Sequence, residues 1–148
     1  MLVEHRISLP TLFRGNMLSG DTPGARLRRA RLAKNMTIHD LAVATGLSVK
    51  TIGNLEANRT RALLPHLRVL AQVLNVPLYY IGCFENLPEK TLGQRIRKAR
   101  VFHGLTKEEL AQSIGVNPKT LQSWEQDKRK PLQRYLTALK AYLAILGK

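Results

Sequence analysis

The sequence predicts an all-α chain of two tandem domains, each of about 60 residues. Three observations carry this. First, the chain repeats itself. Shifted by 69 positions, residues 24–61 match residues 93–130 at 12 of 38 positions without a gap. The identical pairs are Gly24/Gly93, Arg26/Arg95, Arg28/Arg97, Ala30/Ala99, Arg31/Arg100, Thr37/Thr106, Leu41/Leu110, Ala42/Ala111, Gly46/Gly115, Lys50/Lys119, Thr51/Thr120 and Glu56/Glu125. Second, helix-start residues and helix-stopping glycines recur at fixed offsets within both copies. Third, apolar residues return every three to four positions through both copies.

The elements follow in order. Residues 1–22 form an N-terminal tail or arm. Leu2 to Leu9 alternate weakly in a strand-like way, broken by Pro10, Gly15 and Gly20. A loosely ordered tail, a strand that pairs with a partner chain, and a basic arm reaching DNA through Arg6 and Arg14 all fit this pattern. The first domain spans 23–82. Asp21 or Thr22 with Pro23 starts a helix over about 23–34, with Leu27, Ala30 and Leu32 on its apolar side. Thr37 caps a second helix, with Asp40 completing a capping box. Gly46 turns the chain, and Ser48 caps a third helix over about 49–57. A fourth runs over about 63–74 with Leu64, Leu67, Leu70, Ala71 and Leu74 inward, and Pro77 opens a last turn. Residues 83–90 read as a linker.

The second domain, 91–148, shows the pattern most clearly over 105–131. Thr106 and Glu109 form a capping box, flanked by Leu105 and Leu110 at staple spacing. Gly115 ends that helix. Asn117 caps the next one and Pro118 takes its first position, where a missing N–H costs nothing. Leu121 and Trp124 face inward, while Lys119, Gln122, Ser123 and Gln126 form a polar outward stripe. Two helices, a glycine turn and a polar-faced second helix make a helix-turn-helix, whose second helix enters the DNA major groove. A final helix over about 132–146 carries Leu132, Tyr135, Leu136, Leu139, Tyr142, Leu143 and Leu146 on one stripe. With no counterpart of the turn at 77–82, apolar surface around Leu143 and Leu146 is expected to stay open, which motivates a homodimer through the C-terminal helix.

Composition points the same way. The 148 residues carry a net charge of +14. Residues 24–82 hold nine Lys and Arg against two acids, and residues 91–148 hold twelve against four. Both copies thus suit an anionic polymer such as double-stranded DNA. The apolar runs are shorter than the ~20 residues of a spanning helix, no signal peptide is read, and the single cysteine, Cys83, excludes an intrachain disulfide; the expected location is cytoplasmic, on the nucleoid. His5, His39, His66 and His103 are scattered, so no catalytic constellation, metal site or cofactor is inferred, and no small-molecule ligand.

The segments LRRARLAKNMTIHDLAVATGLSVKTIGNLEANR and IRKARVFHGLTKEELAQSIGVNPKTLQSWEQDKRKP resemble the Cro/C1-type (XRE-like) helix-turn-helix transcriptional regulators. The resemblance covers about 24–82 and 91–146. It implies two lambda-repressor-like domains of about five helices, each with helix 3 in the major groove. It also implies internal ion pairs of Arg31 with Glu56 and Arg100 with Glu125. Carried over by position, base-reading falls to Pro118, Lys119, Thr120, Gln122 and Ser123 in the second copy, and to Val49, Lys50, Thr51, Gly53 and Asn54 in the first. Phosphate contacts fall to Lys107, Lys128, Arg129 and Lys130, and to Arg59 and Arg61; of the basic residues on the first helices, Arg26 and Arg95 among them, about half are expected to approach phosphate. Ile38 stands where Lys107 stands in the second copy and cannot make that side-chain contact.

The first copy departs from the pattern at Val49 and Gly53. Three readings stay open: a contact to a thymine methyl with close approach at the glycine, binding with little sequence preference, or conversion to a protein-contact module. The expected function is therefore a sequence-specific regulator, most simply a repressor, with activation through polymerase contact equally compatible with the motif. The competing readings are an antitoxin-like or co-activator adaptor and a non-specific architectural DNA binder.

Overall fold

The computed structural model describes residues 21–147. They divide into two compact units, residues 21–83 and 84–147. Both are built of α-helices and short 3-10 turns, with no strand among the described residues. The tail readings for residues 1–20 lie outside the described residues.

The first unit holds α1 (Pro23–Ala33), α2 (Ile38–Thr45), α3 (Val49–Glu56), α4 (Leu64–Leu74) and α5 (Leu78–Gly82). The second holds a 3-10 turn (Phe84–Asn86), α6 (Leu92–Phe102), α7 (Lys107–Ile114), α8 (Pro118–Glu125), α9 (Gln133–Leu143) and a second 3-10 turn (Ala144–Leu146). The caps act where side-chain chemistry demands. Thr22, Thr37 and Ser48 accept from Ala25, Asp40 and Thr51 backbone amides, and Thr106 and Asn117 accept from Glu109 and Lys119. Thr91 and Gln94 form a further capping box. Gly46 and Gly115 both adopt φ 78°, the left-handed conformation that a side chain penalises.

Each unit buries one core shared by its first helix, the helix-turn-helix and the helices that follow. Leu27, Ala30, Leu41, Ile52, Leu70 and Tyr80 fill the first, and Ile96, Ala99, Leu110, Leu121, Trp124 and Leu139 fill the second. The Trp124 ring lies 5.4 Å from that of Tyr135.

Several expectations need correction. Leu32 and Leu132 are exposed rather than inward, and Leu132 serves as the N-cap residue of α9. Leu143, Ile145 and Leu146 are buried. The turn after α9 folds straight back against α6, so the apolar surface that motivated a homodimer closes within its own unit. Residues 84–89, read as linker, pack on α6: buried Lys98 donates to the Glu85 carbonyl at 3.1 Å and pairs with Glu89 at 3.6 Å.

Candidate nucleic-acid interface

The two candidate reading helices, α3 and α8, are held by matching sets of bonds. At the far end of α1, Arg31 grips Glu56 with two prongs, Nε to Oε2 at 2.6 Å and Nη2 to Oε1 at 2.9 Å. Its Nη1 donates to the Met36 carbonyl at 2.8 Å. In the second unit Arg100 does the same, with Glu125 at 2.7 and 3.1 Å and the Leu105 carbonyl at 2.9 Å. Both pairs are nearly sealed from solvent, and each ties the end of the reading helix to the first helix and to the turn that follows it. The Glu56 carboxylate holds the Arg31 pKa above its ordinary value, against the opposing effect of burial.

A second clamp was not foreseen. Asn58 and Asp127 occupy equivalent left-handed positions, φ 57° and 58°, just after the reading helices. The Asn58 and Leu55 pair and the Arg59 and Asn54 pair close the two backbone bonds of a Schellman turn, and Asp127 with Trp124 and Lys128 with Ser123 repeat it. Asn58 Oδ1 accepts from the Gly24 amide at 3.0 Å, and Asp127 Oδ1 accepts from the Gly93 amide at 2.9 Å. The sequence signal was present, an amide or acid two residues beyond each repeated glutamate, but neither residue is the glycine usually sought at a helix end.

These clamps leave the outer faces of α3 and α8 free. Ile52, Leu55, Leu121 and Trp124 point inward. Val49, Lys50, Lys119 and Gln122 are exposed, and Thr51, Gly53, Asn54, Pro118, Thr120 and Ser123 are half-exposed. Some are pre-set by neighbours. The Ser48 hydroxyl donates to Thr51 Oγ1 at 2.8 Å, Arg59 Nη1 to Asn54 Oδ1 at 3.3 Å, and the Ser123 hydroxyl to the Lys119 carbonyl at 3.1 Å. Immediately after the Schellman turns, Arg59 and Arg61 in one unit and Lys128, Arg129 and Lys130 in the other are all exposed. Lys107 and Ile38 are half-buried at the starts of α7 and α2.

The basic residues of the first helices behave differently from expectation. Arg26 is 1% exposed: its Nη1 donates to the Tyr80 carbonyl at 2.8 Å, and its guanidinium lies 4.8 Å from the Tyr80 ring centre. It is a core arginine and cannot serve as a phosphate contact. Arg95, its equivalent, lines a groove of about 660 Å³ with Leu92, Gln133, Leu136, Lys140, Leu143 and Ala144. It is therefore placed with α9, not among the cations that follow α8. Arg29 is bonded to Asp21, which raises its pKa. Among these first-helix cations, Arg28 and Arg97 are the exposed ones.

Paired helices around a left-handed glycine, a polar outward helix and a basic loop after it define a DNA-binding helix-turn-helix protein, here with two such modules. A family model described as Helix-turn-helix matches residues 27–81 and again residues 96–145. The chain belongs to that family, the Cro/C1-type helix-turn-helix regulators. No curated protein and no solved structure matches it. Among the described residues, no helix is long and apolar enough to cross a membrane, and no cluster of metal-binding side chains occurs.

Proposed function

We propose that the chain is a sequence-specific double-stranded DNA-binding transcriptional regulator, acting as a repressor that occupies operator half-sites in the cytoplasm, on the nucleoid. The observation that carries this is the duplicated outer face. In each unit, exposed polar side chains on a clamped helix are followed at once by exposed cations. In this reading Val49, Lys50, Thr51 and Asn54 meet base edges from α3, and Pro118, Lys119, Thr120, Gln122 and Ser123 from α8. Arg59, Arg61, Lys107, Lys128, Arg129 and Lys130 meet phosphates and fix the register. Two modules in one chain let one molecule engage two half-sites.

An adaptor could have used an open apolar surface at Leu143 and Leu146, but both side chains are covered by their own unit. The experiment is selection of bound duplexes from a random DNA pool, followed by footprinting with the whole chain. Two protected half-sites are expected. One protected half-site would leave the other module to a different partner, and binding without an enriched sequence would favour the architectural reading.

A further inference from the structure

The two reading helices share a register but not a chemistry at it. Val49 and Gly53 of α3 stand where Pro118 and Gln122 stand in α8. Four residues apart, Val49 and Gly53 lie one above the other on the same face of the helix. Val49 is 49% exposed, so its isopropyl group lies open on the outer face of α3. Gly53 has no structural reason to be glycine. Its φ lies outside the left-handed range, and a Cβ built on it would meet nothing within 4 Å. Gly24 and Gly93 are different, since a Cβ there would run into backbone carbonyls. A glycine in mid-helix weakens the helix and gains nothing from packing here. What it does supply is an open notch beside an exposed isopropyl group. Lys50 and Asn54 border the notch with polar groups. In α8 the same place is filled by Gln122, a long and exposed hydrogen-bonding side chain.

We propose that the Val49–Gly53 notch seats the C5-methyl group of a pyrimidine in the major groove, while the second unit reads a hydrogen-bonding base edge through Gln122. This rests on the reading that α3 enters the major groove. A C5-methyl is the one apolar group that a base pair presents there, carried by thymine or by 5-methylcytosine. It suits a valine as its wall, and the absent side chain at position 53 leaves room for it to approach. The two half-sites are therefore unlike in base composition, and the operator is asymmetric even though the protein is an internal repeat.

The test uses the full chain and the duplex recovered by selection. The first unit's half-site is the part of the footprint that fades in Lys50→Ala. Each thymine in it is replaced in turn by 2′-deoxyuridine, which removes only the methyl, and affinity is read by fluorescence anisotropy. At one position wild type is expected to bind about threefold to fivefold more weakly, the scale of one buried methyl group. Val49→Ser should lose this discrimination. Gly53→Ala, whose new methyl fills the notch, should bind the thymine duplex more weakly and recover on deoxyuridine. If instead 5-methylation of a cytosine strengthens binding while no thymine matters, the notch is a methylcytosine seat. The proposal is overturned if no methyl removal or addition changes affinity more than twofold, or if both variants discriminate as wild type does. Absence of binding to any duplex would remove the underlying reading as well, whereas tight binding without methyl dependence removes the proposal alone.

Discussion

The Gly93 amide donates to the Asp127 carboxylate at 2.9 Å, closing the start of α6 onto the end of α8 across 34 residues of chain. Thr91 adds a hydroxyl bond to the same carboxylate at 2.6 Å. The approach is so close that a Cβ on Gly93 would overlap the Trp124 and Glu125 carbonyls, and backbone cannot swing aside as a flexible side chain can. Gly93→Ala is therefore expected to destabilise the second unit by about 1–3 kcal/mol, the usual cost of overpacking. Trp124, the chain's one tryptophan, lies in that unit and reports its unfolding in urea directly. An unchanged midpoint would mean the two helix ends part easily, and the clamp is not a clamp.

The Arg100–Glu125 pair leads to a larger effect. Both side chains are nearly buried and each is satisfied by the other. Glu125→Ala would strand a buried guanidinium with only the Leu105 carbonyl, at an expected cost of about 3–5 kcal/mol. A joint replacement, Arg100→Met with Glu125→Leu, should recover most of that loss, because the desolvation of two charges disappears with them. Tryptophan-detected unfolding of the single and double variants decides it. A single variant within about 1 kcal/mol of wild type would place this pair with weak surface bridges.

These two clamps show what the sequence could and could not convey. The ion-pair partners carry opposite charges at the same offset in both copies, so pattern and resemblance pointed to them. Thr37, Thr106, Gly46 and Gly115 were legible because each does a local job that few residue types do. Asn58 and Asp127 were not, because their role depends on a glycine amide 34 residues away. Arg26 was misread because periodicity marks a helix face but not how far a long aliphatic stem can carry its charge inward. The closing of Leu143 and Leu146 was missed for a similar reason. The first unit announces its turn with Asn75 and Pro77, whereas the second bends through Ala144 and Ile145 with no breaker residue.

His103 gives the second unit an acid sensitivity. Its Nε2 lies 3.0 Å from the Tyr142 carbonyl oxygen, and its ring meets the Tyr142 ring edge-on at 5.4 Å. Burial pushes its pKa below the ordinary 6.5, and the bond to the Tyr142 carbonyl opposes this only in part. The unfolded chain then binds the proton more readily than the folded one. The contribution of His103 to stability should be level above about pH 6.5, fall as the pH drops below it, and level again once the lowered folded value is passed. His103→Gln removes the titration, so the gap between its urea midpoint and that of wild type should change across that window and not above it. Parallel curves from pH 7.5 to 5 would refute this.

Gln122 and Arg129 should fail in different ways if α8 reads DNA. Gln122 is exposed on the outer face of a helix whose inner residues are buried, so shortening it should leave the fold intact. Gln122→Ala is expected to cost about 1–3 kcal/mol on the preferred duplex and little on duplexes changed at the base pair it meets. Arg129 is exposed in the loop just after α8, where a cation can neutralise a phosphate but has no base edge prescribed for it. Arg129→Ala should weaken every duplex alike and lower the slope of log affinity against log salt by about one. Titrating both variants against the selected duplex and its single-base changes, at several salt concentrations, separates the two. If Gln122→Ala weakened all duplexes equally, α8 would be holding the DNA backbone, and sequence reading would have to come from elsewhere on the unit.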